Sequence, residues 1–144
     1  MKKRLAAVHE FHTAFGLGIN DRPIADLGEA KNRLRYNLMK EENEEYLEAA
    51  NSNDLTEVAD ALGDMLYILC GTIIEHGMQH KIEEVFTEIQ RSNMSKLGAD
   101  GKPIYREDGK VLKGPNYSPP NIGKFLYTDT QMELPFNAWF NEDV

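Results

Sequence analysis

Apolar residues recur at helical spacing through the first two-thirds of the chain and lose that order afterwards. From about Lys3 to Phe15, Leu5, Val8, Phe11 and Phe15 share one side, and Gly16-Leu17-Gly18 ends the run. Asn20-Asp21-Arg22-Pro23 reads as a loop. A second helix is predicted from about Asp26 to Ala50, with Leu27, Leu34, Leu38 and Leu47 as a partial stripe, broken by Asn51-Ser52-Asn53-Asp54. Asp54-Leu55-Thr56-Glu57 has capping-box spacing and opens a third helix, which runs to His76 before Gly77. Its inward side should carry Val58, Leu62, Met65, Leu69 and Ile73, and from Met65 onward it is apolar nearly all round. A fourth helix is expected from about His80 to Leu97, with Ile82, Val85, Phe86 and Ile89 inward.

Short connections make neighbouring helices antiparallel, so the pattern predicts an all-α, antiparallel bundle of four main helices. Residues 98 to 124 hold four of the six prolines, and there Ile104 to Leu112 reads as a small hairpin turning at Asp108-Gly109. The expected division is one domain over residues 1 to 124 and a C-terminal extension over 125 to 144. The extension is acidic and aromatic (Phe125, Tyr127, Phe136, Trp139, Phe140).

Composition removes several function classes. The chain has 144 residues and a net charge of −8, which argues against nucleic acid as the partner. The longest apolar stretch, Met65 to Ile74, is about ten residues, half the roughly twenty that a membrane span needs. The basic start Met1-Lys2-Lys3-Arg4 is interrupted by His9 and Glu10 too soon for a signal peptide. Cys70 is the one cysteine and falls inside the apolar run, so it reads as a core residue. A cytoplasmic location is expected.

Charge is distributed in blocks. Nine acidic residues and no basic one fall between Glu41 and Asp64; seven basic and three acidic fall between Arg91 and Lys124. Such blocks could hold a metal and a polyphosphate between them. In the second helix Glu41, Glu42 and Glu45 lie three and four residues apart, so they share a face and repel. Glu57, Asp60 and Asp64 share a face of the third helix, next to its buried part. Charge runs usually form a solvated face. Carboxylates at the edge of a buried surface repel or take up protons unless a cation neutralises them. An all-oxygen set suits Mg²⁺ or Mn²⁺. Such ions hold phosphate oxygens and acidify a water whose proton a further carboxylate accepts.

Together, Glu41-Glu42-x-x-Glu45 and Glu57-x-x-Asp60-Ala61-x-x-Asp64 resemble the motifs of the MazG-like superfamily of all-α nucleoside triphosphate pyrophosphohydrolases, in its phosphoribosyl-ATP pyrophosphohydrolase-like branch. The resemblance extends over about residues 8 to 124 and takes in Arg91 to Leu97 and Asp100 to Pro115. It implies hydrolysis between the α and β phosphates to a nucleoside monophosphate and pyrophosphate, for nucleotide-pool housekeeping. It implies Glu42, Glu45, Glu57 and Asp60 as Mg²⁺ ligands and Glu41 as the group that orients or deprotonates water. Many members place the second motif one turn later, which makes Asp64 a ligand in place of Glu57 or a supporting group. A homodimer, or a dimer of dimers, is also implied.

Other residues are candidates for binding substrate. Asn93 and Lys96 lie three apart near the end of the fourth helix, where a cation is also favourable without any ligand. Lys102, Arg106, Lys110 and Lys113 suit a lid over phosphates or a solvated loop alike. Tyr105 and Tyr117 could stack on a base or simply pack. His9 and His12 flank Glu10-Phe11 one residue short of a zinc pattern and read as structural or pocket-lining. Two further readings are hydrolysis of phosphoribosyl-ATP and a non-catalytic helical dimerisation module. A ferritin-like di-iron site needs Glu three residues before His, a spacing that none of the four histidines has.

Overall fold

The structure is a computed structural model that describes residues 1–127. It is all-α, as the periodicity predicts. The elements are α1 (Lys2–Phe15), α2 (Glu29–Asn51), α3 (Leu55–Glu75), α4 (Ile82–Met94) and a short α5 (Gly123–Leu126). The chain divides into two compact units at His80–Lys81. Most of residues 125 to 144, and with them Phe136, Trp139 and Phe140, lie outside the described residues. Among the described residues, no helix is long and apolar enough to cross a membrane.

In the first unit α1 and α2 both pack on α3. Asp54 caps α3 by accepting the Thr56 and Glu57 N–H groups at 3.1 Å each, so the predicted cap forms. Gly16 and Gly77 end α1 and α3 in the left-handed conformation. Gly77 has a second reason to lack a side chain: a β-carbon would stand 2.0 Å from the Arg22 carbonyl oxygen. The α1–α2 linker is stitched along the end of α3. Asn20 N–H donates to the Ile74 carbonyl at 3.2 Å, and Ile24 N–H to that of His76 at 3.0 Å. The second helix starts three residues later than its periodicity suggests. Asp26 accepts from the Gly28 N–H and the Asn32 amide, which makes a turn of the residues before Glu29.

The apolar faces are less covered than their periodicity suggests. Leu5, Val8, Ala49, Ala61, Cys70, Ile73 and Ile74 form the core. Leu62 and Leu69, expected inward, are 51% and 43% exposed, and Leu34 and Leu47 on α2 are exposed too. The physical reason is that α1 and α2 flank only part of α3, so an all-round apolar helix keeps one side open. Polar groups take some of the buried places instead. Arg35 is buried and donates to Thr72 Oγ1 at 3.0 Å, to the Ile68 carbonyl at 2.7 Å and to Glu75 at 3.4 Å.

In the second unit, α4 buries Glu88 and Ser92, half-buries Ile82 and Val85 as expected, and leaves Phe86 and Ile89 exposed, so the inward face is turned from the expected one. Glu88 explains the turn. Its carboxylate accepts two bonds from Arg91, at 3.0 and 2.9 Å, and the Asn121 N–H at 2.9 Å, and it lies 3.5 Å from Lys124 Nζ. It therefore fastens the segment around residue 121 to α4. These donors, the Arg91 guanidinium first and then the Asn121 N–H, lower its pKa to about 2 against the opposing effect of burial. A carboxylate depressed in the folded state contributes stability that is complete above its ordinary pKa of 4.5 and is lost as pH falls towards 2. Urea midpoints followed by circular dichroism should therefore fall between pH 5 and 2 more steeply in the native chain than in Glu88→Gln. Parallel curves would remove Glu88 from the account. The predicted hairpin is present as a single antiparallel bridge, Tyr105 to Val111, with Gly109 at φ +84° in its turn.

Candidate active site on the paired carboxylate helices

The two carboxylate motifs lie on α2 and α3, which pack against each other on either side of the short turn at Ser52–Asp54. Antiparallel pairing brings later residues of α2 beside earlier residues of α3. Glu57 and Asp64 are seven residues apart, hence about 10 Å along the axis, and face different parts of α2.

Glu42 is the half-buried member of the set, whereas Glu41, Glu45, Glu57, Asp60 and Asp64 are exposed. Burial pushes the Glu42 carboxyl up, and the charges of Glu45, Asp64, Asp60 and Glu41 push it further in the same direction. Its Oε2 is buried, and among the described residues no hydrogen-bond donor reaches it. An acceptor buried without a donor is uncommon and calls for a partner. Glu57 does not join the groups that bear on Glu42. It lines a concavity with Glu45, Glu48 and Asp54 at the α2–α3 turn. Among the described residues, no three His, Cys, Asp or Glu side chains converge as a ready-made metal cage. The carboxylates are thus gathered around Glu42 but not closed.

Asp64 also lines a cavity of about 290 Å³ between α1, α2 and α3, whose other walls include Phe11, Leu17, Leu38, Tyr67 and Ile68. His12 and Arg35 reach the same cavity. His12 is buried, with Nδ1 2.8 Å from the Gly18 carbonyl, so Nδ1 carries the proton of that bond. Its Nε2 and the Arg35 Nη2 both crowd Gly71, where a β-carbon would stand 2.8 and 2.7 Å from them. His12 is thus pocket-lining. His9 is half-buried, and its pKa is lowered chiefly by burial, with Asp21 opposing. Sequence reasoning missed Arg35 and Glu75. The available signal was a charge beside the leucine stripe of α2 and another at the end of an apolar run.

The basic and aromatic candidates fall in the second unit, where several have partners of their own. Lys96 donates to Asn93 Oδ1 at 2.7 Å. Arg106 pairs with Asp108. Lys113 lies over the ring of Tyr117, 4.6 Å from its centroid. Lys102, Tyr105 and Lys110 are exposed.

Residues 8–93 match the family model of phosphoribosyl-ATP pyrophosphohydrolase. The matched span contains both carboxylate motifs and ends within α4. A mimivirus protein, the uncharacterized protein L479 of Acanthamoeba polyphaga mimivirus, is 41% identical over 68 residues. That alignment covers 45% of this chain and 27% of the viral protein, so the chain spans about a quarter of that relative's length. With more than half of its length matched and the paired motifs on neighbouring helices, the chain belongs to the phosphoribosyl-ATP pyrophosphohydrolase family, within the MazG-like superfamily.

Proposed function

We propose that the protein is a Mg²⁺-dependent pyrophosphohydrolase that cleaves a nucleoside triphosphate between its α and β phosphates. The observation that carries this reading is the buried, donorless Oε2 of Glu42 among four further carboxylates. A hard divalent cation fits that donor set, because every candidate ligand is a carboxylate oxygen. Glu42, Glu45, Asp60 and Asp64 would hold it, and Asp64 is preferred to Glu57 because it is the one that bears on Glu42. When bound, the ion would neutralise phosphate charge and make a nearby water more acidic. Glu41, next in sequence and exposed, would orient that water and take its proton on its carboxylate.

The exposed Leu62, Leu66 and Leu69 on α3 support packing against a second copy of the chain, since one chain leaves that face in water. A monomeric mass by light scattering would reject the dimer.

The deciding assay offers canonical and modified nucleoside triphosphates, and phosphoribosyl-ATP, with Mg²⁺, and scores pyrophosphate against orthophosphate. Pyrophosphate release that stops with EDTA is the expected result. No turnover of any nucleotide would favour a helical dimerisation module instead, and turnover indifferent to EDTA would remove the metal.

A further inference from the structure

We infer that Arg35 is a positioning residue: its buried guanidinium clamps the first half of α2 to α3 and thereby holds Glu42 opposite Asp60 and Asp64. The inference rests on the metal site proposed above and names a group that places the ligands without touching the ion. Arg35 and Ala49 are the buried residues of α2. Leu34 and Leu47 are exposed, so apolar contact does little to fix where this helix lies on α3. One end of α2 is tied by the short turn, where the Ser52 N–H donates to the Glu48 carbonyl at 2.9 Å and the Asp54 N–H to that of Ala49 at 3.0 Å. Glu42 precedes the end of α2 by nine residues and Asp64 follows the start of α3 by nine, so antiparallel pairing puts them at the same height. That height is roughly 13 Å from the turn, at about 1.5 Å per residue. A helix held by the turn alone is free to swing there. Arg35 lies seven residues beyond Glu42, two helical turns further from the hinge and on nearly the same face.

One planar group reaches three places on α3. Arg35 Nε donates to Thr72 Oγ1 at 3.0 Å, Nη2 to the Ile68 carbonyl at 2.7 Å, and Nη1 to Glu75 Oε1 at 3.4 Å. Ile68 and Glu75 are two turns apart on α3, about 10 Å along its axis. Thr72 is itself oriented, because its hydroxyl donates to the same Ile68 carbonyl at 2.9 Å. Gly71 lets the fork lie against the helix backbone: a β-carbon there would stand 2.7 Å from Nη2. Directional bonds from a rigid fork fix rotation as well as separation, which apolar side chains do not. A buried charge pair adds little net stability over an apolar one, so its value here lies in specifying one arrangement of the two helices. The carboxylates agree with that arrangement. Asp64 and Asp60 bear on Glu42, whereas Glu57, seven residues nearer the turn than Asp64, does not.

The test uses Arg35→Met combined with Glu75→Gln, which removes the fork without changing the net charge or leaving a buried charge unpaired. Mn²⁺ alone is titrated by calorimetry into the native chain and into this variant. Separately, and without metal, the α2–α3 distance is read by double electron–electron resonance. Nitroxides are attached through Arg33→Cys and Leu66→Cys, both exposed positions, in a Cys70→Ala background. Unlabelled chain is added to suppress signals between copies. The variant should bind Mn²⁺ at least about tenfold more weakly, the loss that follows when partners orienting metal ligands are removed. Its distance distribution should also be broader than that of the native chain. Native Mn²⁺ affinity in the folded variant, or an unchanged distance distribution, would overturn the inference. A native chain that binds no Mn²⁺ would reject the proposed metal site instead, and the label distances would then decide the clamp by themselves. Should the double variant not fold, Arg35→Lys decides by the same two measurements. It keeps a charge beside Glu75 but offers one nitrogen to three acceptors, so both changes are expected in it as well.

Discussion

Glu42→Gln is expected to lose at least about 100-fold in pyrophosphate release while becoming more resistant to urea than the native chain. The activity loss follows from removing a charged ligand: groups that merely support metal ligands already cost about 10–100-fold when replaced. The gain in stability follows from the same structure. Glu42 places a carboxylate in a partly desolvated position, beside four other acids, with one oxygen lacking a donor. An uncharged amide of the same shape removes both the desolvation cost and the repulsion. Opposite signs for activity and stability are what a group retained for function should give. Full activity in the variant would reject the ligand assignment. A joint loss of activity and stability would make Glu42 a structural residue.

The second large effect is expected at Arg35. Arg35→Ala should destabilise the first unit by about 3–5 kcal/mol, the range for breaking a buried pair from one side. The loss strands the buried Glu75 carboxylate and withdraws donors from Thr72 and the Ile68 carbonyl. Burial pulls the guanidinium below its ordinary pKa and the Glu75 charge acts against that pull, so the pair is held by mutual dependence. Arg35→Met combined with Glu75→Gln should recover much of the loss, because no unpaired charge is left behind. Urea unfolding of the singles and the double measures this. A single variant within about 0.5 kcal/mol of the native chain, the usual range for surface changes, would refute the role.

These two residues differ in how well sequence exposes them. The motif spacing named Glu42 because a cluster of like charges next to an apolar helix is unusual in itself. It named Asp60 and Asp64 for the same reason, but could not rank Glu57 against Asp64. That choice depends on which turn of α3 lies opposite Glu42, a matter of helix register. Arg35 and Glu75 escaped notice because they are forty residues apart. Alone, each looks like a surface charge. Glu88 shows the same limit: Arg91 three residues on was visible, but the Asn121 N–H that holds it lies 33 residues away. Helix ends were the most legible part. Gly16, Gly77 and the Asp54 cap are local devices, and each works as local chemistry predicts. The apolar stripes were legible as stripes only. Periodicity tells which leucines share a side; it says nothing about what covers them, and so Leu62 and Leu69 were placed inward.

Gly71 joins three helices at one point of α3's backbone. The His12 ring from α1 and the Arg35 guanidinium from α2 both occupy the space its β-carbon would need. Divergence at these positions is therefore coupled. A larger residue at 71 needs both the His12 ring and the Arg35 guanidinium to give way, since its β-carbon would stand 2.8 and 2.7 Å from them. Three positions far apart in sequence are thereby bound to one another in the side chains each can accept.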